Sequence, residues 1–71
     1  MSDSVYKVIE VIGTSEKSWE DAAMAAVNRA SQTLTDLRIG DVISQDLKIE
    51  NGKVTAFRTK LSLSFKFRDK E

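Results

Sequence analysis

The alternation of apolar and polar residues from Thr55 to Arg68 constrains the fold of this chain more than any other feature. A period of two over this length predicts a long β-strand with one buried face. Just before it, Asn51-Gly52 supplies the positive φ values of a tight hairpin turn. One face of the predicted strand carries Phe57, Leu61, Leu63, Phe65 and Phe67, and the other carries Arg58, Lys60, Ser62, Ser64, Lys66 and Arg68.

The turn also predicts how the preceding strand pairs with this one. With Asn51 and Gly52 as the loop residues, the facing pairs are Glu50–Lys53, Gln45–Arg58, Ile43–Lys60, Val42–Leu61 and Ile39–Ser64. Four large aliphatics then project beside the polar and basic residues, namely Ile39, Ile43, Leu47 and Ile49. A strand surface that faces solvent does not normally carry such a row. The pattern therefore predicts that other subunits cover it, in an obligate self-assembly.

Length and composition agree with self-assembly. The 71 residues (1-71) form a single domain, of a size that buries only about 60% of its unfolded surface and is marginal alone. The chain has no Cys and no His, which excludes disulfides and the usual zinc ligands and leaves subunit association.

The charge balance and the short apolar runs predict where the protein works. The formal net charge is zero, so neither nucleic acid nor an anionic membrane is an expected partner. Lys7 and Glu10 interrupt the longest apolar runs, which are too short for a membrane span or a signal-peptide core. We expect a cytoplasmic protein.

The first half of the chain predicts a strand and a helix. Val5–Ile12 is rich in β-branched residues and is expected to end in a turn at Gly13. Thr14, Ser15 and Ser18 are candidate helix N-caps, and Ser18 with Asp21 forms a loose capping box. The helix is expected to be long, reaching about Leu37. Its apolar stripe comprises Trp19, Ala22, Ala23, Ala26, Val27, Ala30, Leu34 and Leu37.

The resulting element order is β-α-β-β, an α+β fold. The helix crossover makes the first two strands parallel, and the hairpin makes the third antiparallel to both. A fully antiparallel sheet then requires the order 1-3-2, with the third strand in the centre. The helix covers one sheet face and leaves the other open.

Several segments together make the chain resemble the dodecins. They are VYKVIEVIGTSE at the start, AAVNRA and the TL..L spacing in the helical region, the NGKV turn and the FKF strand, which together run from about Val5 to Arg68. The resemblance implies a hollow homododecamer of β-α-β-β subunits. It also implies a ligand-storage or buffering protein, not an enzyme, that binds flavins such as FMN and riboflavin in pairs between subunits, or coenzyme A in some members.

The resemblance also places a ligand pocket at Ile39, Gln45, Asp46, Arg58 and Lys66. Ile39 stands where flavin-binding members carry a stacking Trp, and Arg58 stands where they carry a Gln that bonds the flavin edge. Asp46 falls where some members carry a basic residue near the flavin phosphate, whereas Lys66 keeps a basic character. Without the stacking residue, worth about 0.5–1.5 kcal/mol per aromatic pair, we expect flavin binding to be weak or lost.

Two other features each have a functional and a packing interpretation. Trp19 is either a replacement stacking platform or, as we favour, an amphipathic residue packed at the helix end or a subunit contact. The basic stripe of the last strand could bind nucleic acid, but its phenylalanines lie on the opposite strand face. Pairing with Asp41, Asp46 and Glu residues across strands or subunits is the favoured interpretation.

The alternative is a structural or metal-ion-binding dodecameric assembly without an organic ligand, and catalysis is not expected. Asp41, Asp46, Glu50 and Asn51 supply hard oxygen ligands for Ca²⁺ or Mg²⁺ if symmetry brings copies together, although their spacing is unlike an EF-hand loop. In a single chain they are expected to solvate turns and strand edges. No His or Cys is present as base or nucleophile, and the serines lack a candidate base.

Overall fold

The computed structural model describes residues 4–66, which form three strands and one helix. These are β1 (Tyr6–Ser15), α1 (Trp19–Ala30), β2 (Leu37–Glu50) and β3 (Lys53–Lys66). Both pairings in the sheet are antiparallel and the strand order is β1-β3-β2, which confirms the predicted β-α-β-β fold with β3 in the centre. Phe67 and Arg68, which the sequence placed in the last strand, lie outside the described residues. No helix within 4–66 is long and apolar enough to cross a membrane.

Helix α1 begins where the sequence predicted. The Ser18 hydroxyl accepts a hydrogen bond from the backbone N–H of Asp21 at 3.0 Å, which satisfies one of the unpaired donors of the first turn. Glu20 and Asp21 add negative charge there, which favours the positive end of the helix dipole.

The predicted helix end near Leu37 is wrong, and α1 spans only 12 residues to Ala30. The hydroxyls of Ser31 and Thr33 donate to the carbonyls of Asn28 and Ala30, at 2.8 and 3.4 Å, and so compete with the helical backbone pattern. Asp36 then adopts a positive φ of 62°, and Leu37 begins β2. Leu34 and Leu37 keep the helical spacing of apolar residues in the sequence, but both lie beyond the end of α1.

The predicted turn at Gly13 is also wrong, because β1 continues through it to Ser15. Gly13 is buried beneath α1, and a Cβ at this position would overlap the carbonyl oxygen of Ala22 and reach within 3.0 Å of the Ala26 Cβ. This glycine therefore marks a close approach of helix and strand, and not a turn.

The hydrophobic core lies between α1 and the central strand. Leu61 and Leu63 of β3 are 3% and 1% exposed, and they form a buried cluster with the small residue Ala26 of the helix. Alanines on the helix permit this short separation, as the sequence predicted. Around the core lie partly buried apolar residues, namely Ile9, Val11, Ala23, Val27, Ala30 and Leu37.

The hairpin turn forms as predicted, but the β2–β3 ladder contains three register shifts, the last of them at Arg38 near the start of β2. Asn51 and Gly52 have φ values of 52° and 76°, and Glu50 faces Lys53. The pairing shifts by one residue at Thr55 on β3 and shifts back at Ile43 on β2. Because the two shifts cancel, the predicted pairs Val42–Leu61 and Ile39–Ser64 are confirmed.

Between the bulges the predicted pairs are wrong by one residue. Gln45 faces Thr59 and not Arg58, and Ser44 faces Lys60 in place of Ile43. A one-residue slip moves each side chain to the other face of the sheet. Leu47 therefore faces Phe57 on the helix side and does not project beside the basic residues. The same slip places Asp46 directly opposite Arg58.

Candidate functional site

The sheet face turned away from α1, here called the outer face, carries a large uncovered apolar surface. Val8 and Ile39 flank Ser64 in one row across the three strands and are 55% and 59% exposed. Tyr6 and Ile12 lie on the same face of β1 and are 45% and 52% exposed. Ile39, which the resemblance placed in a ligand pocket, thus belongs to an apolar patch that the described part of the chain, residues 4–66, leaves exposed.

Strand β2 is uncovered on its helix side as well. Val42 and Leu47 face Leu61 and Phe57 on that side, yet both remain exposed because α1 packs over β1 and β3. Every residue of β2 after Leu37 is exposed. The sequence therefore predicted correctly that this strand is apolar on more sides than one subunit covers.

The predicted pocket residues Asp46 and Arg58 form a bidentate ion pair on the outer face. Arg58 donates from Nε to Oδ1 of Asp46 at 2.7 Å and from Nη2 to Oδ2 at 2.8 Å. These hydrogen bonds hold the pKa of Asp46 below its ordinary value and raise the pKa of Arg58. Both side chains stay accessible, so solvent screens the pair and limits its contribution to stability.

Trp19 fixes the same segment from the helix side of the sheet. Its indole Nε1 donates to the backbone carbonyl of Asp46 at 3.0 Å, and its ring meets the edge of Phe57 at 5.2 Å and 81°. The Thr59 hydroxyl donates to the carbonyl of Trp19 at 2.9 Å. These contacts match the packing interpretation of Trp19, which joins the start of α1 to β2 and β3.

The other predicted pocket residues do not converge on this pair. Gln45 lies on the helix side, whereas Ile39 and Lys66 lie towards the other end of the sheet. The Lys66 backbone N–H donates to the carbonyl of Asp36 at 3.2 Å. None of the five predicted residues lines the four main grooves within 4–66. The groove between β1 and α1, about 460 Å³ in volume, is instead lined by Arg29 and mostly small or apolar residues.

Two residues of the basic stripe of β3, Arg58 and Lys60, pair with acids of neighbouring strands, as the favoured interpretation predicted, whereas Arg68 lies outside the described residues. Besides the Arg58 pair, the Lys60 ammonium lies 3.6 Å from the carboxylate of Glu10 on β1. Both pairs cross strands on the outer face. Their charges are therefore largely balanced inside one subunit.

The predicted oxygen ligands for a metal are dispersed. Within the described part of the chain, no three acidic side chains come together in a metal-binding group. Asp46 is held by Arg58, and Glu50 lies 3.4 Å from Lys48. Asp41 faces Ser62 on the outer face, and its carboxylate makes no ion pair with any residue in 4–66.

The sequence named both members of the Asp46–Arg58 pair without placing them opposite each other. The missing information was the two bulges, since Asn51-Gly52 alone predicts an unbroken register. One signal was present: Val42-Ile43 places two aliphatics side by side, which interrupts the alternation of β2 at the bulge.

Comparison with known proteins gives a consistent family assignment. A dodecin family model matches residues 5–68. The calcium dodecin of Mycobacterium tuberculosis is 53% identical over 66 residues, which are 92% of each chain. A solved structure of dodecin from Streptomyces coelicolor is 38% identical, covers 99% of this chain and all of its own, and superposes with a TM-score of 0.90.

A crystal structure of the Mycobacterium tuberculosis protein is also similar to this chain. That protein is described as a calcium-chelating immunodominant antigen with a novel calcium-binding site. Its structure is 49% identical, with a TM-score of 0.82 and coverage of 96% of this chain and 97% of its own. The shared fold, the near-complete coverage and this identity show that the chain belongs to the dodecin family.

Proposed function

We propose that this protein is a non-enzymatic dodecin that assembles into a cytoplasmic homododecamer and binds Ca²⁺ at contacts between subunits, with flavin binding weak or lost. The Asp46–Arg58 pair carries the proposed loss of flavin binding, and the Asp41 carboxylate, which makes no ion pair within 4–66, carries the calcium assignment. Asp46 and Arg58 occupy two positions that the family resemblance assigns to the flavin pocket. At a third such position this chain has Ile39 in place of the stacking Trp.

The uncovered apolar surface supports the assembly. Large aliphatics on both sides of β2, together with Val8 and Ile12 of β1, stand about half exposed in the isolated subunit. Each such side chain contributes on the order of 1.5–3 kcal/mol when it is fully buried. A subunit of this size has few other sources of stability, because it contains no disulfide. The dodecin family forms oligomers, and the number of twelve follows from the family resemblance.

Two observations support Ca²⁺ as the ligand. The relative that is 53% identical is a calcium dodecin. Asp41 carries a carboxylate that no cation in the described chain neutralises, beside the Ser62 hydroxyl on the outer face. Calcium takes six to eight oxygen ligands, so one Asp41 is insufficient and the site would combine copies from neighbouring subunits.

Calorimetric titration of chelator-treated protein with Ca²⁺ tests the proposal. We expect saturable binding, weaker binding of Mg²⁺ and loss of Ca²⁺ binding in Asp41→Asn. Glu20→Gln is the matched control, because it removes an exposed carboxylate from the first turn of α1 and should leave the titration unchanged. Absence of saturable Ca²⁺ binding in the assembled wild type would overturn the calcium assignment, and unaltered binding in Asp41→Asn would overturn the role of Asp41.

An organic ligand of the flavin or coenzyme A class is the second candidate. Lys66 supports it, since this residue keeps the basic character of its position on β3. FMN, riboflavin and coenzyme A should each be titrated into the assembled protein, with quenching of flavin fluorescence and calorimetry as the readouts. The double variant Ile39→Trp with Arg58→Gln should gain flavin quenching over the wild type. Equal behaviour of the two proteins would show that the assigned pocket positions are wrong.

A further inference from the structure

The Asp46–Arg58 pair has the geometry with which arginine binds a free anion. The two parallel N–H···O contacts, 2.7 and 2.8 Å long, match the fork that a guanidinium offers to a carboxylate or phosphate. In this subunit the Asp46 carboxylate takes the place of that free anion. Arg58 is 40% exposed, so a ligand in solution could otherwise reach it.

The fold holds the backbone of Asp46 in place from two directions. The paired bulges place residue 46 directly opposite residue 58, and the Trp19 indole fixes the Asp46 carbonyl from the other side of the sheet. A carboxylate on a backbone held this way acts at a high effective concentration, which is millimolar even for loosely tethered partners. A dissolved anion must compete with this carboxylate for Arg58, which lowers the apparent affinity of the anion.

Removal of the Asp46 charge would leave two adjacent cations on the outer face. Arg58 and Lys60 are two residues apart on β3, so their side chains leave the sheet about 7 Å from each other. Among the described residues 4–66, the ion pair of Lys60 is the longer 3.6 Å contact to Glu10. Two cations at this spacing suit a diphosphate.

We propose that Asp46 determines the ligand specificity of the dodecin shell, because its carboxylate occupies Arg58 and so excludes ligands that carry phosphate or carboxylate groups. The inference rests on the proposed function only in assuming that the outer face takes part in ligand binding. Because Asp46 occupies the guanidinium, the arginine at this pocket position does not confer affinity for anions. The ion pair also keeps the position nearly neutral in a protein proposed to bind a cation.

Titration with inorganic pyrophosphate tests this proposal directly. We expect Asp46→Asn to bind pyrophosphate about three- to tenfold more tightly than the wild type, since one exposed charge-assisted contact becomes available. Adding Arg58→Gln to that variant should return the affinity to the wild-type value. Glu20→Gln removes an exposed carboxylate from the first turn of α1, changes the net charge by the same amount and should leave the pyrophosphate affinity unchanged.

Asp46→Ser is the second variant. It is needed because the side-chain oxygen of the asparagine in Asp46→Asn can still accept a hydrogen bond from Arg58. Trp19 fluorescence and the oligomeric state should be recorded for each variant to establish that the segment stays folded. Unchanged pyrophosphate affinity in both folded Asp46 variants would overturn the proposal, as would a gain that survives Arg58→Gln. The readout uses neither Ca²⁺ nor flavin, so failure of the calcium assignment leaves this result interpretable.

Discussion

Strands β2 and β3 are both 14 residues long and are joined by a tight turn, yet one is buried and the other is not. β3 lies beneath α1 and buries Thr59, Leu61 and Leu63. β2 pairs with β3 along its whole length, but it buries none of its large aliphatics. The central strand therefore owes its burial to contacts within one subunit, whereas the apolar residues of β2 stay exposed in one subunit and would be covered by other subunits in the proposed assembly. Substitutions can alter these two contributions separately.

Leu63→Ala should have the largest effect, because it opens a cavity where β3 packs against α1. Leu63 is 1% exposed, and truncation of a buried leucine costs about 2–5 kcal/mol. Chemical denaturation at a fixed protein concentration measures the change in the free energy of unfolding. Val54→Ala on the exposed end of the same strand should cost less than about 1 kcal/mol. Similar losses for the two variants would contradict the assignment of the core.

Ile39→Asp should weaken assembly without unfolding the subunit. The side chain is 59% exposed in one subunit, so a carboxylate is tolerated there, but its burial without a partner between subunits is costly. We expect subunit affinity to fall at least about tenfold. Light scattering during size-exclusion chromatography gives the oligomeric state, and circular dichroism checks the fold. Gln32→Asp, in the turn after α1, should leave the assembly unchanged. An intact oligomer in Ile39→Asp would show that the outer face is not an interface.

Trp19→Phe should have a smaller effect, on the link between α1 and the β2–β3 hairpin. The variant keeps a ring against Phe57 but loses the donor to the Asp46 carbonyl. One such hydrogen bond contributes about 1 kcal/mol. Denaturation should show a loss near this size, against little change in the control Tyr6→Phe, which removes an exposed hydroxyl. A neutral Trp19→Phe would mean that the indole bond does not fix the segment.

The pH dependence of Asp46 should be the smallest effect. The folded state lowers the pKa of Asp46, so the pair adds stability above the unfolded pKa and loses it as the pH falls through the folded pKa, below about pH 4. Thermal midpoints from pH 6 to pH 2.5 should therefore fall slightly more for the wild type than for Asp46→Asn. Parallel curves would show that the pair is not maintained in solution.

Local chemistry predicted most of the fold. Ser18 begins the helix, Asn51-Gly52 forms the hairpin, and the alternation of β3 assigns its buried face, because each depends on residues adjacent in sequence. Gly13 was wrongly predicted to form a turn, because glycine is favoured both in turns and where two backbones approach closely. Only the packing of Ala22 over the strand distinguishes them.

The candidate site was less predictable for a related reason. Asp46 and Arg58 were both named from the family resemblance, but their contact depends on bulges at Ile43 and Thr55 that the turn does not specify. Pockets formed between subunits depend further on contacts outside one chain. The sequence could therefore indicate that β2 requires a partner without indicating which atoms meet there.

Native mass spectrometry of the freshly purified protein reports both the number of subunits and any retained ligand in one spectrum. We expect twelve subunits, with added mass in multiples of Ca²⁺ after incubation with calcium and no flavin mass. Twelve subunits that retain flavin would contradict the proposed loss of flavin binding. A monomer or dimer would contradict the assembly itself, and the apolar surface of β2 would need a different partner.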